Sequence, residues 1–478
     1  MKAESVLFAS IVLFFLMAGC ITFKSEPVDP AKTYEAIASR SLRDPEVKVF
    51  IENGLKRHFA QWPPDKWDFN MLTLAALYYN QDIKIAEAEF GISKAKVITA
   101  KQIPNPVVSL VPEFISNPGL LSPWAPAIGT GAQIETAGKR HDRVSVALAE
   151  EQSNFYNLLQ KAWSIRSHLR KSLLDYYIAE RRLDLLRREL EVKGKISALS
   201  KLEYQLGEIS LDEFNVVQTS FISAGLSYEE AKSHLSEAKR RVASAVGITE
   251  AHLESDLLSP EPRIVFDFLN KIPDTSEIPR GKVIKEALLR RPDILSALSL
   301  YKAAESNLRL EISRQYPDVT IGPGYKWDEG INKWNIAISL SLPIFNMNAG
   351  PIAEAEAKRE RAEANFMKLQ TEAIVGTESA LNQYQIAFSN YLRSDSLLRT
   401  VNSLYNGMEK MVKEGEMSKL DEYNYLVIRL DAELQLINAV EKVQQALSGL
   451  EDEVVAPLGQ CEINPIIYEK GVERGIVK

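Results

Sequence analysis

The spacing of apolar residues in two proline-free stretches predicts very long helices. No proline lies between Pro126 and Pro260, or between Pro351 and Pro457, and proline breaks helix interiors. In the first stretch, apolar residues recur at steps of three and four and form one stripe: Leu158, Ala162, Ile165, Leu169, Leu173, Tyr176, Ala179, Leu183, Leu186 and Leu190. The other positions are rich in charged and polar residues, as on a solvated face. The pattern predicts a helix from Lys139 to Leu206, roughly 100 Å long, in a coiled coil, a helical repeat or a helical tube.

Segments with the periodicity of β-strands precede both predicted long helices. Apolar residues alternate with small or polar ones from Val319 to Trp327 and from Trp334 to Leu342, with a turn at residues 328–330. Residues 108–114 and 128–135 alternate similarly in the first half of the chain. Strands of about ten residues with one apolar and one polar face are typical of transmembrane barrels, although a half-buried soluble hairpin has the same pattern. Two hairpins cannot close a barrel alone, so a barrel requires several copies of the chain.

The chain contains the same pattern twice. When the sequence is aligned with itself at an offset of 211 residues, identical residues match in the same order. Asn154-Phe155, for example, aligns with Asn365-Phe366. The segment that begins at Gly207 matches the one that begins at Gly415, with one insertion, and glycine tolerates the backbone of a sharp turn. Each half is predicted to be helix, hairpin, long helix, turn and helix. The predicted units are a signal peptide (1–19), a lipidated N-terminal extension (20–66), a first repeat (67–258), a linker (259–282), a second repeat (283–459) and a C-terminal tail (460–478).

The first twenty residues have the pattern of a bacterial lipoprotein signal. The apolar stretch Val6–Met17 has the length of a signal-peptide core and is too short to span a bilayer as a helix. It is followed by Ala18-Gly19-Cys20, which resembles a lipobox, and Ile21 after the cysteine is permissive for outer-membrane sorting. An ordinary signal peptide with a nearby cysteine is the alternative. Beyond Cys20 no apolar run is long enough for a transmembrane helix, so a membrane span would have to use strands closed into a barrel.

Composition and motifs argue against a nucleic-acid partner and against catalysis. The net charge of the chain is −7, and no basic block of the kind that tracks phosphates is present. None of the five histidines has metal-ligand spacing with another histidine or a cysteine, and Cys20 and Cys461 are the only cysteines. No Gly-rich phosphate loop, His-Glu-x-x-His or Gly-x-Ser-x-Gly occurs. We therefore expect no catalytic residue, no cofactor and no resident metal.

From Trp67 to Gly459 the chain resembles the TolC-like family of outer membrane efflux proteins. The resemblance is carried by Leu72–Leu77, Asn105-Pro106, Tyr316-Pro317, Ser339–Phe345 and the two glycine turns with the Leu-Asp-Glu that follows each. No single motif is specific for the family, but their duplicated order is. The segment Gln133–Arg140 is similar to the branch of the family that serves exporters of heavy-metal cations.

The resemblance implies a mainly α fold with a β-barrel portion and a homotrimeric assembly. Three chains would give four strands each to a twelve-stranded barrel in the outer membrane, above a long helical barrel in the periplasm. Residues expected to face lipid are Trp334, Ile336, Ile338, Leu340 and Leu342, and those expected to face the lumen are Asn335, Ser339 and Ser341.

The function implied by the resemblance is that of an exit duct in a tripartite efflux pump. Small molecules or metal cations would come from an inner-membrane pump, such as a proton-driven transporter of the resistance-nodulation-division class, through a periplasmic adaptor (membrane fusion) protein. The channel of a type I protein secretion system is an alternative, because that system uses the same family. A lipid-anchored periplasmic coiled-coil adaptor or scaffold is a second alternative, which would leave the two hairpins unexplained.

The resemblance also implies roles for residues at the two turns. Gly207, Leu211, Asp212, Gly415 and Leu420 would dock the adaptor. The alternative is that the glycines only form the turns and that the leucines belong to the core.

A pore gate is the second role that the resemblance implies for the turns. Asp421 and Asn424 occupy the positions of aspartates that ring the pore entrance in the best-known member of the family, and Met417 stands where that member has an arginine. Alternatively, Asp421 only caps the returning helix, and Asp212 does the same in the first repeat.

Overall fold

The computed structural model describes residues 23–116, 119, 122–259 and 263–458. The predicted signal peptide, the lipidation site Cys20, Cys461 and the predicted tail lie outside the described residues. The chain divides into two compact units, Met1–Ser41 and Leu42–Lys478. The first unit contains helix α1 (Pro30–Ala38), whose N-cap Asp29 accepts a hydrogen bond from the backbone N–H of Ala31.

The second unit is mainly helical and contains four strands. Its α-helices are α2 (Pro45–Leu55), α3 (Phe69–Tyr79), α4 (Gln81–Lys101), α5 (Lys139–Leu206), α6 (Leu211–Val246), α7 (Glu250–Leu253), α8 (Arg280–Arg290), α9 (Pro292–Ser313), α10 (Ala349–Lys413) and α11 (Lys419–Val454). Its strands are β1 (Val107–Phe114), β2 (Trp124–Ile134), β3 (Val319–Asp328) and β4 (Ile331–Leu340). Short π or 3₁₀ turns occupy Glu254–Leu258, Asp267–Leu269 and Thr275–Glu277.

The order of these elements repeats within the second unit. The series α3, α4, β1, β2, α5, α6 is followed by α8, α9, β3, β4, α10, α11. The two predicted long helices and the two predicted hairpins are therefore confirmed. Among the described residues, no helix is both long enough and apolar enough to cross a membrane.

Glycines mark both ends of the 68-residue helix α5. Gly138 before it and Gly207 after it have φ values of 77° and 76°, in the left-handed region that side chains disfavour. Between them the chain has no proline and no other break, and α5 follows its predicted bounds. Helix α10 is 65 residues long and is followed by Gly415, with a φ of 80°. Each long helix packs along its length against the shorter helix that follows it.

The four strands form one antiparallel sheet in the order β1-β2-β3-β4. The two hairpins are joined edge to edge by the pairing of β2 with β3, in which Ile128 lies opposite Tyr325 and Ile134 opposite Val319. The second repeat thus continues the sheet of the first, and β1 and β4 are left as its edges.

The main core lies where the first repeat packs around the middle of α5. Its buried residues come from α2 to α6 and from the segments before α3 and after α6, with Trp67, Leu72 and Leu169 fully buried. A second cluster joins α8, α10 and α11 around Tyr384. A third cluster joins α5 to α11 through Leu185, Val192, Ile196 and Leu430. Helix α5 of the first repeat therefore contacts both α9 and α11 of the second repeat.

A buried ion cluster lies between the same two helices. Arg166 and Arg170 of α5 and Glu451 of α11 are each only 1% exposed. A carboxylate oxygen of Glu451 lies 3.6 Å from a guanidinium nitrogen of Arg166 and 3.5 Å from one of Arg170. The prediction that the polar positions of this helix are solvated is therefore wrong at these two arginines. The aromatic rings of Trp163 and Phe69 also face the Arg166 guanidinium, at 4.5 and 5.2 Å.

Burial lowers the pKa of Arg166 to about 10, against the opposing effect of Glu451, so the side chain stays charged at neutral pH. Arg170 also donates to the side-chain oxygen of Gln444 at 3.0 Å. Gln444 in turn donates to the backbone oxygen of Leu269 at 2.7 Å. The cluster therefore ties α5, α11 and the segment between the repeats together.

Replacing Glu451 with glutamine should destabilise the protein strongly. The Glu451→Gln variant would leave two buried guanidinium groups without their carboxylate, and breaking a buried pair costs about 3 kcal/mol. We expect the midpoint of thermal loss of helical circular dichroism to fall clearly below that of the wild type. The matched control is Glu191→Gln, which removes the exposed partner of Arg187 and should leave the midpoint unchanged. Equal midpoints for the two variants would contradict a stabilising role for the cluster.

Candidate functional site

The register of the sheet separates its residues into two chemically different faces. Side chains of paired residues point to the same side of a sheet, and neighbours along a strand alternate. The first face, here called the apolar face, contains Val108, Leu110, Pro112, Phe114, Trp124, Pro126, Ile128, Thr130, Ala132, Ile134, Val319, Ile321, Pro323, Tyr325, Trp327, Asn332, Trp334, Ile336, Ile338 and Leu340. Large residues on it are exposed in the single chain, as Trp334 is at 78%.

The second face, here called the polar face, carries mostly small and polar side chains. Its residues are Val107, Ser109, Val111, Glu113, Ala125, Ala127, Gly129, Gly131, Gln133, Thr320, Gly322, Gly324, Lys326, Asp328, Ile331, Lys333, Asn335, Ala337 and Ser339. Near the hairpin turns it carries two ion pairs, Glu113 with Lys326 at 2.6 Å and Asp328 with Lys333 at 2.7 Å. A Cβ atom at Gly322 would overlap the backbone oxygen of Thr130, so this position requires glycine.

Aromatic residues gather at the turn end of the apolar face. The rings of Phe114 and Trp124 are 5.1 Å apart, and those of Tyr325 and Trp334 are 4.9 Å apart. At about 3.3 Å per residue, the eleven residues of β2 span roughly 36 Å, or about 25 Å of thickness when tilted by 45°. This height and the aromatic rim are those of an outer-membrane barrel strand.

A buried lysine joins the end of the first hairpin to the start of the second. The Lys139 ammonium donates to the Asp318 carboxylate at 2.6 Å and to the backbone oxygen of Tyr316. Asp318 also accepts from the backbone N–H of Thr136 at 3.0 Å and from the side chain of Gln133 at 2.9 Å. The sheet and the long helix are thus held together at the point where β2 continues into α5.

At the far ends of the long helices, the two glycine turns are exposed and uncrowded. A Cβ atom built on Gly207 or Gly415 would meet nothing within 4 Å, so a side chain there costs backbone strain but makes no clash. Leu211 is 53% exposed. Leu420 instead packs against the cluster between α5 and α11, as expected of a core leucine. Asp212 is exposed.

Capping boxes begin the helix after each turn. Ser210 caps α6, and its box partner is Glu213; Ser418 caps α11, and its box partner is Asp421. Hydrogen bonds from the backbone and side chain of Ser210 lower the pKa of Glu213. The prediction that Asp212 is the counterpart of Asp421 as a cap is therefore wrong, because Glu213 has that position.

The predicted gate residues lie on the first turns of α11. Oδ2 of Asp421 accepts from the backbone N–H of Ser418 at 3.2 Å and from its hydroxyl at 2.6 Å, so the predicted capping role of Asp421 is present. Asn424 is exposed one turn further along the helix. In the part of the chain that the structure describes, no group of three or more His, Cys, Asp or Glu side chains has the arrangement of a metal site.

Comparison with known families gives a match that spans the second repeat. The model of the outer membrane efflux protein family matches residues 283–452, which run from α8 through β3 and β4 to α11. This part of the chain is similar to the outer membrane efflux protein family. Members of this family are passive channels of the outer membrane and are not enzymes.

Two curated proteins resemble this chain over most of its length. The cobalt-zinc-cadmium resistance protein CzcC of Cupriavidus metallidurans is 22% identical over 364 residues, which are 75% of this chain and 81% of CzcC. The probable outer membrane lipoprotein SilC of Salmonella typhimurium is 20% identical over 399 residues, which are 76% of this chain and 79% of SilC.

Solved outer membrane channels share the fold of this chain. CmeC of Campylobacter jejuni has a TM-score of 0.65 at 16% identity, covering 95% of this chain and 97% of its own. CusC has a TM-score of 0.64 at 14% identity, covering 92% of this chain and 99% of its own. The predicted fold class, mainly helical with a β-barrel portion, is confirmed.

The two faces of the sheet predict an alternating pattern of chemical labelling along β4. Single cysteines at 335 and 339 should react with a water-soluble maleimide in intact membranes, and those at 336, 338 and 340 should not, because their side chains lie on opposite faces. The background would carry Cys461→Ser. As a control, all five positions should react after denaturation. Uniform labelling, or labelling with a period near 3.6, would contradict the barrel.

Proposed function

We propose that three copies of the chain form the outer-membrane exit duct of a tripartite efflux pump. The observation that carries the proposal is the four-stranded sheet of an outer membrane efflux protein with two unpaired edges and an exposed apolar face. Long apolar strands with open edges are prone to aggregation, and closing them into a barrel removes both edges. Pairing β4 of one copy with β1 of the next would give twelve strands from three copies.

The long helices support the same assembly. Apolar side chains on α6 and α10 are exposed in the single chain: Val216, Ile222, Leu226, Val375, Ile386, Leu392, Leu397 and Leu404. Apolar surface of this extent is normally covered by a partner. In the proposed trimer these residues pack against helices of neighbouring copies and form a tube below the membrane.

We propose metal cations as the cargo. The support is the name of CzcC, a cobalt-zinc-cadmium resistance protein, together with the segment Gln133–Arg140. The energy for transport would come from an inner-membrane pump, reached through a periplasmic adaptor. A type I protein secretion channel remains the second candidate, because the same family serves that system.

Lipid attachment at Cys20 is part of the proposal. Its support is Ala18-Gly19-Cys20 at the end of an apolar stretch, and the name of SilC, a probable outer membrane lipoprotein. Incorporation of a labelled fatty acid should be lost in Cys20→Ser, and continued labelling would place the anchor elsewhere. The barrel should still insert, because it buries far more apolar surface than acyl chains do.

The two turns are the proposed adaptor-docking sites. Gly207 and Gly415 lie at exposed tips with open space around them, and the exposed Leu211 and Asp212 add an apolar and a charged group. Leu420 would act indirectly, by packing α11 against α5.

Deleting the gene should lower several-fold the concentrations of Co²⁺, Zn²⁺ and Cd²⁺ that stop growth, and the wild-type gene should restore them. Gly207→Trp should fail to restore them at an unchanged amount of trimer, because it puts a bulky ring at the docking tip. Gly207→Asn is the matched control and should restore resistance, because asparagine tolerates the left-handed backbone. Unchanged metal resistance, with an exported protein lost from the medium, would contradict the metal duct and favour type I secretion. Parallel loss of trimer in Gly207→Trp would contradict docking and indicate a folding defect.

Asp421, with Asn424 beside it, is the proposed pore gate. In a trimer three Asp421 carboxylates would surround the axis at the closed end of the tube and attract cations. The Asp421→Asn variant should reduce the preference for cations and the block by trivalent cobalt complexes in planar bilayers, because asparagine caps a helix without the charge. The matched control is Glu213→Gln, which removes the charge at the equivalent position of the first repeat and should leave conductance unaltered. An unaltered Asp421→Asn channel would leave Asp421 as a cap only.

A further inference from the structure

A groove of about 670 Å³ lies where strand β2 continues into helix α5. Its lining includes the apolar side chains of Ile103, Ile134 and Val144, the cations Lys101 and Arg140, and the imidazole of His141. The Lys139–Asp318 pair lies beside it but is not part of its lining. The duct function described above assigns no ligand to this groove.

The groove continues the apolar face of the sheet toward the helices. Ile134 is the last residue of β2 and lies on the apolar face, where it is 52% exposed. Ile103, in the segment between α4 and β1, is 65% exposed. In an outer membrane channel, the helix end of the strands lies at the boundary between the membrane core and the periplasm. The headgroups of inner-leaflet phospholipids lie at this level.

The charge of the groove is positive. Lys101 ends α4 and Arg140 is the second residue of α5; both are exposed, and neither forms an ion pair within the described residues. The carboxylate in the lining, Glu135, is already held by Arg143, at 2.5 and 3.1 Å from its two oxygens. Gly138 caps α5 without a side chain, so the positive end of a 68-residue helix adds to the field of the two cations.

We propose that this groove binds an anionic phospholipid. Lys101 and Arg140 hold its phosphate, and its acyl chains run along Ile134 and the apolar face. The ligand must be anionic at one end and apolar at the other, because the two halves of the lining differ in the same way. Basic pockets at membrane boundaries bind anionic headgroups by this combination of contacts. The proposal rests on the outer-membrane duct function, because only there does the apolar face lie in lipid.

Native mass spectrometry of the detergent-solubilised protein tests the site. The probes are phosphatidylglycerol and phosphatidylcholine with identical acyl chains, each with and without excess inorganic phosphate. The wild type should bind phosphatidylglycerol more tightly, and inorganic phosphate should displace it only weakly, because phosphate lacks the apolar contacts. Lys101→Gln with Arg140→Gln should weaken binding of phosphatidylglycerol roughly 25-fold, since each cation near a membrane surface contributes about fivefold.

Two further variants isolate the charge of the groove. Lys101→Arg with Arg140→Lys should keep phosphatidylglycerol binding near the wild-type value. Lys285→Gln with Arg393→Gln removes two exposed cations elsewhere and should change nothing. Unchanged phosphatidylglycerol binding in the Lys101→Gln, Arg140→Gln variant would overturn the proposal, as would equal binding of the two lipids or full displacement by phosphate. Membrane fractionation distinguishes a failure of the lipid site from a failure of the duct function. If the wild-type protein is absent from the outer membrane, the duct function is refuted. If it forms an outer-membrane trimer without this lipid preference, only the lipid site is refuted.

Discussion

The burial of charge between α5 and α11 constrains how the two repeats pack together. Arg166 and Arg170 lie in the middle of a helix of the first repeat, and Glu451 lies near the end of the last helix of the second. Each buried guanidinium would cost several kcal/mol without a carboxylate beside it. Burial of the two arginines of α5 therefore requires Glu451 of α11 beside them. Local sequence determines where each helix begins and ends, and this cluster adds a specific contact between α5 and α11.

Local patterns were sufficient to predict the elements but not their neighbours. The bounds of α5 follow from a proline-free stripe flanked by Gly138 and Gly207, because glycine accepts the left-handed backbone at each end. A period of two predicts which residues share a face, but it does not say which strand lies beside which, so the pairing of β2 with β3 had to be observed. Arg166 and Arg170 fall at polar positions of the helical pattern, and only tertiary packing explains why they are buried.

At the turns, aligning the two repeats by identical residues gives the wrong structural correspondence. Matching Leu-Asp-Glu in the two repeats pairs Asp212 with Asp421 and requires an inserted residue. The structure instead aligns the repeats on the capping serines, and no insertion remains, because each serine bonds the residue three positions on. The three-residue spacing between Ser210 and Glu213 is the sequence pattern of a capping box. The groove at Lys101 and Arg140 gave no such signal, because residues distant in sequence form it.

Gly322 limits what the middle of the sheet can contribute to transport. Its close approach to the backbone of Thr130 excludes a side chain, and Gly129, Gly131 and Gly324 leave the neighbouring positions of the polar face bare. A wall of bare backbone offers passing solutes no charged group and almost no steric obstruction. In the proposed duct, resistance to flow is therefore concentrated at the two ends of the conduit. A side chain added at mid-barrel would therefore create a constriction that the wild-type chain does not have there.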